Sequence, residues 1–211
     1  MGSTVFHSPK KRGKIAVFIS GRGSNFLALH EAIEAGKIDA DIVVVFSNKK
    51  EAAGLGIARE KGLNTLHLDP KEYGSRKEYD QAIIREMKDL EIDLICLAGY
   101  MRILTQEFCE AFVNQVINIH PALLPSFPGL YVQQKAIDWG VRFSGATVHF
   151  VVPDVDMGPI ITQAVVPVLQ DDTEETLSAR ILKEEHRIYP EAVQLYFQGR
   201  LEVRDRRVFV L

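Results

Sequence analysis

Cysteine is scarce. Cys96 and Cys109 are the only two in 211 residues, too few for a disulfide framework or a four-cysteine metal site. A reducing, cytoplasmic compartment fits that scarcity. Long apolar runs are missing too: residues 15–19 and 42–46 are each about one strand long, far short of a membrane span. Nor is there an excess of positive charge. Lys and Arg number 25 against 28 Asp and Glu, a net −3, which argues against nucleic acid as the partner. Residues 1–13 are basic but carry no apolar stretch, so they do not read as a secretory signal and are expected to form a loose tail. Repeats and low-complexity segments are absent. What is present is 46% apolar and 25% charged residues, the mixture of a globular chain, at a length suited to one domain.

From residue 14 two patterns alternate. The continuous apolar run 15–19 suits a strand buried on both faces. After a turn, Phe26, Leu29 and Ile33 recur at helical spacing and stop at Gly36. The unit repeats with strands at 41–46, 64–68, 93–98 and 116–119 and helices at 51–61, along Tyr79, Ile83, Met87 and Leu90, and at 105–113. Strands alternating with helices predict a Rossmann-like open α/β sheet, mostly parallel, with helices on both faces. After His120 the alternation breaks. A proline-rich loop (Pro121, Pro125, Pro128) leads to a helix ending near Trp139. Segments 143–152 and 160–168 follow, joined too closely for a crossover helix, and should pair antiparallel. A helix capped as Thr-Glu-Glu-Thr starts near Thr173, and a last strand is expected at 207–210.

Several constellations could carry chemistry. In SGRGSN (20–25) the glycines permit close backbone approach, and a helix start attracts anions. Equally, Ser24 or Asn25 could serve only as a helix cap. A dinucleotide fingerprint would need glycine at Phe26 and an acid at Ser47 or Asn48, and a Walker loop would need Gly-Lys-Ser/Thr. Neither stands here. In NIHPALLPSFPG (118–129), Asn118 and His120 are two apart and so emerge on one side of a strand. Pro121 holds His120 extended. They lie at the carboxyl end of a parallel strand, where open α/β sheets bind ligands. An amide donor beside an imidazole suits a reaction that develops an oxyanion and moves a proton. VPDVDMGP (152–159) offers Asp154 and Asp156, either as turn formers or as a carboxylate that orients a histidine. AGYMRIL (98–104) could line a flat heterocycle pocket or simply begin a buried helix. His149 reads as a packed strand residue, and KEEHRIYP (183–190) as a solvated helix face. No HExxH or paired-cysteine spacing supports a metal site, and none is expected.

Together SGRGSN, SRKEYD (75–80), AGYMRIL, NIHPALLPSFPG, VHFV with DVDMGP, and EEHRIYP, in this order, closely resemble the folate-dependent phosphoribosylglycinamide formyltransferase family. The resemblance runs from Lys14 to about Arg200. It implies transfer of the formyl group of the co-substrate 10-formyltetrahydrofolate to the amine of glycinamide ribonucleotide, in de novo purine biosynthesis, without metal. It also implies a single formyltransferase domain over 14–211. Residues 14–117 would form the nucleotide-phosphate-binding half and 118–211 the catalytic and folate-binding half. By position, the resemblance makes Gly23, Ser24, Asn25 and Glu185 ribonucleotide contacts. Arg76, Met101, Arg102, Ile103, Leu104, Asn118, Val152 and Asp156 become folate contacts, and Asn118, His120 and Asp156 the catalytic trio, with His120 as general acid/base. Tyr131 stands where family members commonly carry histidine, Leu182 where they often carry a polar residue, and Ala122 where they usually carry serine. The alternatives are a 10-formyltetrahydrofolate hydrolase, a formyltransferase acting on another amine such as initiator tRNA, and a non-catalytic metabolite sensor. Hydrolases usually add a regulatory domain ahead of the glycine turn, which the thirteen residues before Lys14 cannot supply. Transformylases of tRNA normally add a basic C-terminal domain, whereas this chain is acidic. Membrane and nucleic-acid partners are not expected, and the resemblance leaves the oligomeric state open.

Overall fold

The apolar runs of the first half become parallel strands separated by helices. The structure, a computed structural model, describes residues 12–211. Strand β1 (Gly13–Ile19) is followed by α1 (Ser24–Glu34), β2 (Ala40–Ser47), α2 (Ala53–Glu60), β3 (Thr65–His67), a short 3-10 turn at Pro70–Glu72, α3 (Arg76–Asp89), β4 (Leu94–Leu97), α4 (Gln106–Ala111) and β5 (Val116–His120). The remainder is α5 (Val132–Asp138), β6 (Phe143–Phe150), β7 (Ile160–Pro167), α6 (Glu174–Phe197), β8 (Leu201–Arg204) and β9 (Arg207–Val210). The nine strands among the described residues form one open sheet in the order β3-β2-β1-β4-β5-β6-β7-β9-β8. The first five are mutually parallel. β6 is antiparallel to both β5 and β7, because each junction is a loop or short helix that reverses the chain instead of a full crossover.

Each face of the sheet carries its own apolar core. Ile15, Val17, Ile19, Ile117 and Ile119 pack with α1 and with Leu177, Ile181, Ile188 and Tyr189 of α6. Their alternates Ala16, Phe18, Ile95, Leu97 and Val116 pack with Tyr79, Ile83, Met87 and Phe108 from α3 and α4. A strand covered on both faces can be apolar at every position, which is why β1 and β4 read as unbroken runs. Tyr189 reaches from α6 onto the sheet, its hydroxyl 3.0 Å from the Leu97 carbonyl and 3.2 Å from that of Ile117. Helix α6 continues through Pro190.

Several boundaries move. Gly13 already belongs to β1, paired with Ala40, and the Arg12 guanidinium donates to the Ala40 carbonyl at 2.6 Å. The rest of the expected tail, residues 1–11, lies outside the described residues. The 117/118 division falls inside β5, so the two halves share one strand. Helix α4 stops at Ala111, short of the expected 113, and β8 was not expected at all; it forms a hairpin with β9. Among the described residues, no helix is long and apolar enough to cross a membrane.

Candidate active site

The sheet order reverses between β1 and β4, and the loops leaving those two strands flank the resulting crevice. After β1 the chain turns through Gly23, whose φ of 78° is left-handed and favours glycine. Gly23 is also the N-cap of α1 and, lacking a side chain, supplies no side-chain cap. Ser24 is its first residue, so the capping role open to Ser24 or Asn25 is not the one the fold uses. Asn25 points elsewhere: its Nδ2 donates to Glu185 Oε2 of α6 at 2.6 Å. Both side chains are buried. Burial pushes the Glu185 carboxyl up, and the Asn25 hydrogen bond pulls it partly back. KEEHRIYP is therefore not a wholly solvated face. It delivers a buried carboxylate to the first turn of α1.

A cavity of about 560 Å³ lies beyond β4 and β5. One wall is Gly99 to Leu104; another is Asn118, His120 and His149; the loop at 151–156 and residues 129–133 close the rest. Met101, Arg102, Ile103, Leu104, Asn118, His120, Val152 and Asp156 are thus brought together. Arg76 is not: it is exposed at the first turn of α3 and does not line this cavity. Gly23, Ser24, Asn25 and Glu185 form a separate cluster. Ser20, at the start of the glycine turn, bonds to the cavity wall: its Oγ accepts the Met101 N–H at 2.8 Å and donates to Asn48 Oδ1 at 2.6 Å.

Asn118 and His120 do emerge side by side from β5, and Asp156 approaches from the β6–β7 connection. Asp156 adopts φ 57°, and its Oδ2 accepts the Gly129 N–H at 2.8 Å. The same oxygen is 3.5 Å from His120 Nδ1, too long for a strong hydrogen bond. His120 Nε2 lies 2.9 Å from the Phe127 carbonyl. That carbonyl can only accept, so Nε2 carries a proton and Nδ1 is the nitrogen left to gain or lose one.

His149 is the residue that strand reasoning undervalued. Antiparallel pairing of β5 with β6 sets it directly opposite Asn118, 2% exposed. Its Nδ1 donates to the Phe150 carbonyl at 2.8 Å. In the neutral ring, which burial favours by lowering its pKa, Nε2 must then accept. It does so from Asn118 Nδ2 at 3.2 Å. This orients the amide with its NH2 group inward, one hydrogen on His149 and the other free for the cavity. No sequence spacing signals the contact; only the register of β5 on β6 creates it.

Tyr131 is 74% exposed and takes φ 58° at the start of α5. Leu182 is half-buried on α6. Among the described residues, no group of three or more His, Cys, Asp or Glu is placed to hold a metal ion.

A profile of the formyl transferase family matches residues 13–193. The chain belongs to the formyl transferase family. This formyl transferase is 40% identical over 196 residues to the phosphoribosylglycinamide formyltransferase of Escherichia coli, covering 93% of this chain and 92% of that one. It is 43% identical to part of the human trifunctional purine biosynthetic protein adenosine-3, covering 95% of this chain but 20% of that protein's length. Against a similar trifunctional protein of Drosophila melanogaster the share is 14%. Among solved structures, glycinamide ribonucleotide transformylase 1 of Symbiobacterium toebii superposes with a TM-score of 0.94 at 47% identity, covering 100% of this chain and 99% of that one. A formyltetrahydrofolate deformylase of Pseudomonas syringae also superposes, with a TM-score of 0.87 at 28% identity, covering 95% of this chain and 66% of that one.

Proposed function

We propose that this formyl transferase moves the formyl group of 10-formyltetrahydrofolate to the amine of glycinamide ribonucleotide, in purine biosynthesis. The observation that carries the reading is the meeting of Asn118, His120 and Asp156 at one cavity, beyond strands that lie beside β1 and the glycine turn leading to α1. The cavity fits a flat folate ring. Leu97, Ile103, Leu104, Val151 and Val152 give it apolar sides, and the Met101–Leu104 segment brings backbone polar groups to its edge. The first turn of α1 is the phosphate end, with Gly23, Ser24 and Asn25 offering N–H groups to an anion and Glu185 beside them for ribose hydroxyls. Arg76, exposed outside the cavity, is left to meet the charged tail of a long folate.

In the reaction the amine nitrogen bonds to the formyl carbon, and the bond from that carbon to the folate nitrogen breaks. Charge grows on the formyl oxygen, so a fixed N–H donor lowers the barrier. The free Asn118 N–H is that donor. Net transfer takes one proton from the amine and delivers one to the folate nitrogen. His120 Nδ1 mediates it as general acid/base, and Asp156 stabilises the charged ring in between. A cytoplasmic site of action agrees with two buried, unpaired cysteines.

Likeness to a deformylase keeps hydrolysis of the same formyl-folate as the second reading. One experiment separates them: formyl-folate consumption measured with and without glycinamide ribonucleotide. The transferase reading expects turnover far above the water rate only when the ribonucleotide is present. Equal rates would assign the protein to hydrolysis.

A further inference from the structure

The Met101–Leu104 wall of the cavity has no helix or strand of its own. It nevertheless has to present its backbone at fixed positions. Two side-chain acceptors anchor its ends: Ser20 Oγ takes the Met101 N–H, and Asp80 Oδ2 of α3 takes the Thr105 N–H at 2.7 Å. We propose that Asp80 is a positioning residue for the folate co-substrate, its buried carboxylate fixing the far end of this wall through the Thr105 N–H.

Three observations support it. First, Asp80 is 2% exposed, and burying a carboxylate is costly unless it is well bonded. A neutral acceptor would suffice merely to start a short helix, and Thr105 already caps α4 by accepting the Phe108 N–H at 3.3 Å. The charge therefore does more than cap. Second, the same element holds the middle of the wall. The Arg102 guanidinium lies 4.9 Å from the Tyr79 ring centroid, and the Tyr79 hydroxyl donates to the Leu68 carbonyl at 3.2 Å. Third, the positive charges that act on Asp80 are Arg102 and Arg76, the first in the wall and the second assigned to the folate tail. One carboxylate thus anchors the wall's far end, within reach of the charge of both arginines. Asp80 does not line the cavity; it acts through Thr105.

The inference rests on the folate reading of the cavity, and its test separates the two. Binding of tetrahydrofolate, the product that lacks the formyl group, is titrated under anaerobic conditions alongside steady-state kinetics. Losing a charged hydrogen bond corresponds to about a tenfold change in affinity. Asp80→Ala should therefore raise the tetrahydrofolate Kd and the formyl-folate KM about tenfold. The ribonucleotide KM, and kcat at saturating formyl-folate, should stay within about twofold. Asp80→Asn keeps the volume and an acceptor oxygen but not the charge. It should show a smaller rise of the same selectivity, and it serves where the alanine variant does not fold. A helix cap with no bearing on the site would weaken both substrates alike or neither. Either pattern, in protein with an unchanged circular dichroism spectrum, overturns the proposal. Failure of the unaltered protein to bind tetrahydrofolate overturns the folate reading, and this inference with it.

Discussion

Replacing His149 with phenylalanine would keep a flat ring in β6 but remove the nitrogen that accepts from Asn118 at 3.2 Å. The amide could then turn over, presenting its oxygen where a donor is needed. Loss of one oxyanion donor costs roughly 10²–10³ in turnover, and a misaimed donor should cost less. His149→Phe is therefore expected to lower kcat about ten- to a hundredfold while the ribonucleotide KM barely moves, since Glu185 and the glycine turn are untouched. Steady-state kinetics on both substrates check this. An unchanged kcat in folded protein would mean that the orientation of Asn118 does not matter. Asn118 and His120 were legible from their two-residue spacing and the following proline. His149 was not, because it matters only through a partner on another strand.

Helix α2 seats the glycine turn. Gly54 donates its N–H to the Gly21 carbonyl at 3.0 Å, and a Cβ there would lie 2.5 Å from Ile19 Cδ1 and 3.3 Å from both Gly21 O and Gly23 Cα. In Gly54→Ala the buried Ile19 side chain must turn aside within a packed core, or the helix must ease away from the turn. Overpacking of this kind costs about 1–3 kcal/mol. The melting temperature should fall roughly 2–4 °C per kcal/mol, and the ribonucleotide KM should rise while that for formyl-folate holds. Equal effects on the two KM values would show that the turn does not serve one substrate alone. The parallel half of the fold was readable because strands buried on both faces are apolar throughout, as β1 is. In the second half the antiparallel β6–β7 pair, the cap at Thr173 and the last strand were legible too; β8 resisted for a local reason. Segment 201–204 mixes Leu201, Glu202, Val203 and Arg204, none fully buried, so it lacks the contrast that marks an inner strand. Pro190 signals a helix end, yet α6 runs on to Phe197. A proline forfeits one hydrogen bond, and the buried Ile188, Tyr189, Ala192 and Val193 around it hold the helix in place. The separation of Arg76 from the cavity had no sequence signal, since it follows from where the first turn of α3 lies in the fold.

Across the whole molecule, buried ionisable groups set how stability varies with pH. His149 and His186 have their pKa values lowered, chiefly by burial. The unfolded chain therefore binds protons at these sites before the folded one does, as pH drops through about 6.5. Folding should weaken over that window. Asp80 and Glu185, raised by burial, act in the opposite sense. The folded state takes up their protons first, so they offset part of the loss further into acid. Urea unfolding midpoints should thus fall as pH drops from about 7.5 to 6, and a His186→Gln variant should lose part of that slope. An identical slope in the variant would remove His186 from the account.

An open sheet must stop somewhere, and this one stops on β3, three residues long, and β8, four. Outermost strands expose unpaired backbone groups on which a stranger's chain can grow. Here neither margin is long enough to template much. Glu202 and Arg204 stand on β8, their side chains joined at 2.7 Å, and charge at a margin further discourages pairing. The broad sheet needed to set a phosphate turn and a catalytic strand side by side thus leaves little purchase for aggregation when the protein is concentrated.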